Sequence, residues 1–249
     1  ITVRSPKAFK EHIINIKNIV SFGCSWTYGD ELLDPVLEKK GMVVCDLEND
    51  SYRLTHCYTG LLANQYNLAQ ENLAFPGFSL QAMQWNLMWW LNNHTEDYIQ
   101  NSIIIVGLTE ESRVSWYNPK HVSEYGDPKW NRHIHATWLK SSGPNVDTGW
   151  RELHKHHLNM TDCDELYQLN YETTVRLFDG ISSRYNIPVV QFNAMATTTT
   201  TTPCTTLYEY DSRHMLTSAT DVYKPMGHPN EKGHKLIAND LISVIDTLI

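Results

Sequence analysis

The sequence has few of the features that would place a protein in a specialised class. Its 20 basic residues are outnumbered by 28 acidic ones, which gives a formal net charge of −8. This balance argues against binding to nucleic acid or to anionic lipid, because both depend on Lys and Arg. The longest apolar runs, such as residues 103–108, are far too short to span a membrane. The first residues show no signal-peptide pattern, so we expect the protein in the cytoplasm or in a virion.

Cysteine is also scarce. The five cysteines show no C-x-x-C spacing; they are Cys24, Cys45, Cys57, Cys163 and Cys204. Such a set predicts no disulfide framework and favours a reducing compartment. Several histidines lie close together in sequence, namely His133, His135, His154, His156 and His157. They lack the accompanying Cys or carboxylate spacing of known sites, so we predict no metal and no other cofactor.

The sequence does contain a regular alternation of strand-like and helix-like segments. Short, β-branched apolar runs at 18–22, 103–106 and 187–192 predict buried parallel strands, with weaker strands at 67–74 and 205–208. Apolar stripes at helical spacing fall between or after them: Leu80, Met83, Leu87 and Trp90; Tyr171, Val175, Phe178 and Tyr185; Ile237, Leu241, Val244, Ile245 and Leu248. The alternation predicts an α/β fold, a three-layer α/β/α sandwich with a parallel sheet of about five strands, in one domain over 1–249.

Two segments interrupt this alternation. Residues 109–165 are polar and aromatic without a clear core face, and we interpret them as a long insertion. Because the insertion follows a strand end, we expect it to pack over the carboxyl edge of the sheet. Its tryptophans, Trp116, Trp130, Trp138 and Trp150, suit either stacking on sugar rings or a small satellite core. The six threonines at 197–202 predict an exposed loop.

The candidate chemistry lies at the strand ends, where ligands bind in open parallel sheets. Ser25 follows the first strand two residues after Gly23, which would present it on a turn beside a helix start. A plain strand-to-helix turn is the structural alternative. A serine nucleophile needs a base, and His228 precedes the last helix with Asn230 as a predicted N-cap. A polar surface histidine is the alternative there.

These segments resemble the GDSL-type, or SGNH, hydrolases. In FGCSWTYG, the residues Gly23, Ser25, Thr27 and Gly29 match the first block of that family in register. Residues 72–79 resemble the second block, 107–110 the third and 225–229 the last, so four blocks appear in family order. When these blocks are taken together with the segment GLTEESR at 107–113, the chain is also similar to SGNH-like proteins of tailed bacteriophages.

The resemblance implies roles for individual residues. Ser25 would be the nucleophile and His228 the general base, and the backbone N–H groups of Ser25 and Gly77 would form an oxyanion hole assisted by Thr109. We also predict Arg113 and Trp26 as substrate-binding residues, although Arg113 could instead pair with Glu110 or Glu111. The sequence departs from the family pattern at three polar positions: Cys24 and Pro225 replace aspartates, and Thr109 replaces an asparagine.

The departures leave two functions open. We favour an ester hydrolase with a Ser–His dyad that removes O-acetyl groups from a carbohydrate. Without an aspartate at Pro225, we expect a main-chain carbonyl near Met226 to orient the histidine, in preference to Asp221. The alternative is a catalytically degenerate protein on the same fold, a virion component that binds glycan or other virion proteins.

Overall fold

The main sheet has five strands, and every neighbouring pair is parallel. The computed structural model describes residues 16–44, 46–111, 113–117, 133–136, 163–195, 206–208 and 227–248. The sheet strands are β1 Asn18–Phe22, β2 Ala69–Asn72, β3 Ser102–Leu108, β6 Val189–Asn193 and β7 Leu207–Tyr208, in the order β2-β1-β3-β6-β7. A separate antiparallel pair joins β4 Val114–Tyr117 to β5 His133–Ala136. All five predicted strand sites and the parallel sheet are confirmed.

Helices cover both faces of the sheet. They are α1 Ser25–Tyr28, α2 Pro35–Glu38, α3 Asp50–His56, α4 Tyr58–Tyr66, α5 Leu80–Asn93, α6 Glu96–Gln100, α7 Cys163–Tyr185 and α8 Glu231–Leu248. One core cluster lies between the sheet and the α5 and α7 helices, and a second lies between the sheet and the α4 and α8 helices. The three-layer prediction is therefore confirmed.

The central strand β3 carries apolar side chains on both faces. In β3, Ile104 and Val106 belong to one core cluster, whereas Ile103 and Ile105 belong to the other. All seven residues of β3 are buried, as expected for a central parallel strand covered on both sides. This double burial explains why the run is continuously apolar rather than alternating.

The predicted helical stripes are the buried faces of the helices. In α5, the four predicted residues are all buried: Leu80, Met83, Leu87 and Trp90. In α8, Ile237, Leu241 and Ile245 are buried and hold the helix against the sheet. Trp85, on the other side of α5, is exposed. None of the described helices is long and apolar enough to cross a membrane.

The strand order creates a crevice where the candidate residues lie. From β1 the chain passes to β2 on one side, and then returns to β3 on the other side of β1. The carboxyl ends of β1 and β3 thus flank a topological switch point, the usual ligand site of such sheets. Ser25 follows β1 and Thr109 follows β3, so the sheet brings both to this edge.

The beginning of the predicted insertion lies near the same edge. Ser79, the N-cap of α5, donates a hydrogen bond of 2.7 Å to the Ser115 hydroxyl in β4. The rest of residues 109–165, apart from β5 and the first residues of α7, lies outside the described ranges, as do the threonines at 197–202. The insertion's packing and its tryptophan contacts therefore stay predictions.

Candidate active site

Ser25 is the first residue of a short helix at the end of β1. Its side chain is almost buried, with 3% of the residue exposed. The helix ends at Gly29, which has φ +85° in the left-handed region where glycine is favoured. The N–H groups of Gly29 and Asp30 both donate to the Ser25 carbonyl, at 3.1 and 2.9 Å. The chain therefore folds back on Ser25 and carries Asp30 toward the same edge.

The other residues of the first block pack the strand ends. A Cβ on Gly23 would lie 1.9 Å from the Thr27 Oγ1, and one on Gly107 would lie 2.6 Å from it. Thr27 thus occupies the space that the two glycines leave open. Its hydroxyl is hydrogen-bonded to the Tyr58 hydroxyl at 2.7 Å. Gly23 and Thr27 therefore have a packing role, whereas no hydrogen bond from another described residue engages the Ser25 hydroxyl.

The predicted oxyanion-hole residues lie on segments joined to this turn. Asn72, at the end of β2, donates from its side chain to the Thr27 carbonyl at 2.8 Å and so ties the Gly77 loop to the Ser25 turn. Within the described ranges, no backbone carbonyl accepts from the N–H of Ser25 or Gly77. The Thr109 hydroxyl is fully buried and has no hydrogen-bond partner in this part of the chain. Within the described part of the chain these three donors are thus not engaged by the acceptors named above, and their catalytic role stays a prediction.

His228 lies on the segment that leads into α8. Asn230 caps this helix, since its side-chain oxygen accepts from the N–H groups of Lys232 and Gly233 at 3.0 and 3.1 Å. The predicted N-cap is confirmed. The His228 Nε2 lies 3.8 Å from a carboxylate oxygen of Asp30, whereas no hydrogen bond joins His228 to the Ser25 hydroxyl among the described contacts. Residues 221–226, with Asp221, Pro225 and Met226, lie outside the described ranges.

A second histidine, His234, lies behind His228 and was not predicted from the sequence. Its Nδ1 accepts from the Tyr58 N–H at 3.2 Å, and its ring stacks on that of Tyr58. Complete burial, and then the nearby His228, lower its pKa to about 3. The ring is therefore neutral at physiological pH, with its proton on Nε2. Its spacing from Ile237 and Leu241 places it on the buried stripe of α8, which is the sequence pattern that could have identified it.

The two predicted substrate-binding residues have different environments. Trp26 is only 2% exposed and belongs to the core cluster beneath α4 and α8, a position that offers a substrate no surface. Arg113 is buried at the sheet edge, with its Nε 3.6 Å from Glu110 and one amino group donating to the Met195 sulfur. The pairing with Glu110 is thus present. The Arg113 Nε and Nη1 have no hydrogen-bond partner among the described residues.

A cleft of about 300 Å³ opens beside the His228–Asp30 contact. Its walls are formed by residues that follow Asp30, by α3 and by the start of α8: Glu31, Leu32, Leu33, Tyr52, Asn230, Glu231 and Lys232. Tyr52 donates to the Glu231 carboxylate across this cleft. Among the described residues, no group of His, Cys, Asp and Glu is arranged to hold a metal ion. The side chains of the five histidines between 133 and 157 lie outside the part of the chain that the structure describes.

Comparisons with known proteins show the fold. No protein-family model matches the chain, and no curated protein matches it. Among solved structures, the chain is similar to a carbohydrate esterase whose active site is described as having divergent catalytic and non-catalytic binding functions. The TM-score is 0.50 and the identity 14%, over 94% of this chain and 67% of that one.

Two further solved structures are similar to the chain at lower TM-scores. The psychrotrophic esterase EstA from Pseudoalteromonas sp. gives a TM-score of 0.46 at 11% identity, and a lipolytic G-D-S-L family member from Veillonella parvula gives 0.40 at 15%. Each alignment covers 92% of this chain and 97% of the other. At such identities a likeness concerns the fold alone. The carbohydrate esterase carries that likeness, and the chain shares its α/β fold.

Proposed function

We propose that the chain is an ester hydrolase in which Ser25 is the nucleophile and His228 the general base. The observation that carries this proposal is the position of Ser25, which starts a helix at the switch point of the sheet. Around it, the N–H groups of Ser25 and Gly77 and the hydroxyl of Thr109 are available to donate to a developing oxyanion.

The proposed reaction proceeds through an acyl-enzyme. The Ser25 hydroxyl attacks the acyl carbon while its proton passes to the His228 ring, and the carbonyl oxygen becomes an oxyanion. When the C–O bond to the alcohol breaks, His228 returns the proton to that leaving oxygen. Water then attacks the acyl-Ser25 ester, again with His228 taking its proton. When the C–O bond to Ser25 breaks, His228 gives this proton to the Ser25 oxygen, so that the carboxylic acid is released and the Ser25 hydroxyl is restored.

This reaction requires His228 to approach Ser25. Catalytic hydrogen bonds are often long without substrate and shorten when substrate binds. Among the described residues, the Asn230 cap and the contact with Asp30 lie on either side of the ring, and we propose that a small shift of His228 toward Ser25 leaves the rest of α8 in place. We therefore propose that the Ser25–His228 hydrogen bond forms when the substrate binds.

The substrate proposed is an O-acetyl group on a carbohydrate. The likeness of fold to a carbohydrate esterase supports this class, as does the aromatic composition of residues 109–165. Arg113 is the proposed substrate-binding residue. Its buried Nη1 has no hydrogen-bond partner among the described residues, and an acceptor oxygen on the substrate would satisfy it.

A second candidate is a glycan-binding protein that does not cut its ligand, for example a component of a virion. The absence of a described hydrogen bond between Ser25 and His228 favours it, together with cysteine at the position of the first-block aspartate. This candidate uses the same crevice, so the two functions are separated by turnover and not by binding.

Hydrolysis of 4-nitrophenyl acetate and of an O-acetylated oligosaccharide tests the proposal. The wild type should release product from both, and Ser25→Ala should be inactive while unfolding at the same temperature. Ser51→Ala, an exposed serine on α3, is the matched control and should keep full activity. Equal rates for Ser25→Ala and wild type would contradict the mechanism. Glycan binding without hydrolysis in the wild type would support the second candidate.

A further inference from the structure

The dyad lacks a carboxylate at the position where the family has one, because residue 225 is proline. In a catalytic triad, a carboxylate orients the imidazole and stabilises the imidazolium that forms during attack. We propose that Asp30 takes this role, as a positioning residue that reaches His228 from the nucleophile's own turn; the inference rests on the proposed function. Its carboxylate lies 3.8 Å from the His228 Nε2, with side chains 29% and 20% exposed.

The backbone on both sides of Asp30 is fixed. Gly29 before it and Glu31 after it both have positive φ values, +85° and +73°. A left-handed conformation is unfavourable for glutamate and persists only where neighbouring contacts hold it. One such contact is Arg53, which donates to the Tyr28 carbonyl at 2.7 Å and lies over the Tyr28 ring. The turn is therefore built to hold Asp30 in one place.

The charge of Asp30 is available to His228. Within the described ranges, no Lys or Arg pairs with Asp30, and the nearby Arg53 pairs with Asp50 instead. At 3.8 Å the contact is an ion-pair distance and longer than a hydrogen bond. It becomes most favourable when the ring gains the Ser25 proton, because the carboxylate then faces a cation. Asp30 would thus act in the transition state more than in the resting enzyme.

Asp30 neither gains nor loses a proton in the proposed reaction. Because Nε2 faces Asp30, the Ser25 proton would be accepted by the His228 Nδ1 and would later pass from there to the leaving oxygen, while Asp30 remains a carboxylate throughout. Two titratable side chains in the described part of the chain lie close to His228, namely Asp30 from the turn and His234 from α8. Since His234 is neutral, Asp30 supplies the negative charge among these groups.

Kinetics of Asp30→Asn on 4-nitrophenyl acetate test the inference. We expect kcat to fall about 10- to 100-fold with little change in KM, because the interaction is made mainly in the transition state. The acid limb of the kcat/KM profile should move to lower pH, since removing the carboxylate makes the ring harder to protonate. Asp30→Glu should recover part of kcat, which a purely structural role would not predict.

Three controls separate this inference from the proposed function. Asp34→Asn, four residues on and half-buried at the N-cap of α2, should keep the wild-type kcat. If Ser25→Ala is inactive while Asp30→Asn equals wild type, the hydrolase stands and the role of Asp30 is refuted. A rise in KM alone, or a large loss in Asp221→Asn without one in Asp30→Asn, would also overturn it. If Ser25→Ala is as active as wild type, both proposals fail.

Discussion

Two halves of the candidate site are held in different ways. The strand-end half, residues 23–31 and 107–109, is closed by backbone hydrogen bonds and by close packing of Thr27 against two glycines. The helix-start half, residues 227–234, is held by side chains: the Asn230 cap, the His228–Asp30 contact and the bond between His234 and Tyr58. Disrupting the strand-end half should damage the fold. Changes in the helix-start half should mainly alter activity and the pH dependence of stability.

This difference explains why the two halves are unequally visible in the sequence. The strand-end turn is specified by residues within a short stretch, so its spacing of Gly23, Ser25, Thr27 and Gly29 can be recognised directly. The helix-start half depends on partners far away in the chain, since Tyr58 and His234 are 176 positions apart. A local pattern cannot identify such a pair.

The largest effect is expected for Gly23→Ala. The new methyl group would meet the Thr27 side chain at 1.9 Å, with the strand ends packed on both sides, so we expect a loss of about 3 kcal/mol in the free energy of unfolding. Denaturant titration measures it. Gly180→Ala is the control, because a Cβ there meets nothing within 4 Å and should stabilise α7 by up to about 1 kcal/mol. Equal stabilities for both variants would refute the packing argument.

Thr109→Val should separate activity from stability in the strand-end half. Valine keeps the shape and removes the hydroxyl, so kcat should fall about a hundredfold, or nearly 3 kcal/mol in the barrier. Stability should not fall, because the buried hydroxyl has no described partner to lose. Thr174 is also fully buried, but its hydroxyl is hydrogen-bonded to Asn170 and Gln84. Thr174→Val should therefore lower the stability and leave kcat unchanged. An unchanged kcat in Thr109→Val would remove Thr109 from the oxyanion hole.

The sequence predicts the sheet well because its central strands are buried on both faces and therefore continuously apolar. It also predicts the Asn230 cap, which depends on a local hydrogen-bonding pattern. It could not reveal that Trp26 is core, since the residue after the proposed nucleophile Ser25 can point either way from the turn. Nor could it identify Asp30, whose position depends on the left-handed conformations of Gly29 and Glu31.

The helix-start half should respond to acid through His234. Its folded-state pKa is about 3, against about 6.5 in the unfolded chain, so below pH 6.5 the unfolded state binds a proton that the folded state does not. Stability is thus lost as the pH falls, and this group contributes about 2 kcal/mol between pH 7 and pH 5. In His234→Asn the new side-chain oxygen can accept from the Tyr58 N–H. This variant should lose the part of the pH dependence of the unfolding free energy that comes from His234. Parallel curves of unfolding free energy for both proteins would contradict this assignment.

The smallest effect is expected for Asn230→Ala. The side chain accepts from two N–H groups of the first turn of α8, and losing such a cap costs about 1 kcal/mol. Because His228 lies two residues before the cap, kcat should also fall, by about two- to fivefold, as the ring's position becomes less defined. Asn230→Asp keeps the acceptor and should restore both values. If Asn230→Ala unfolds like wild type, the start of α8 is held instead by other contacts, of which the bond between Tyr52 and Glu231 is one.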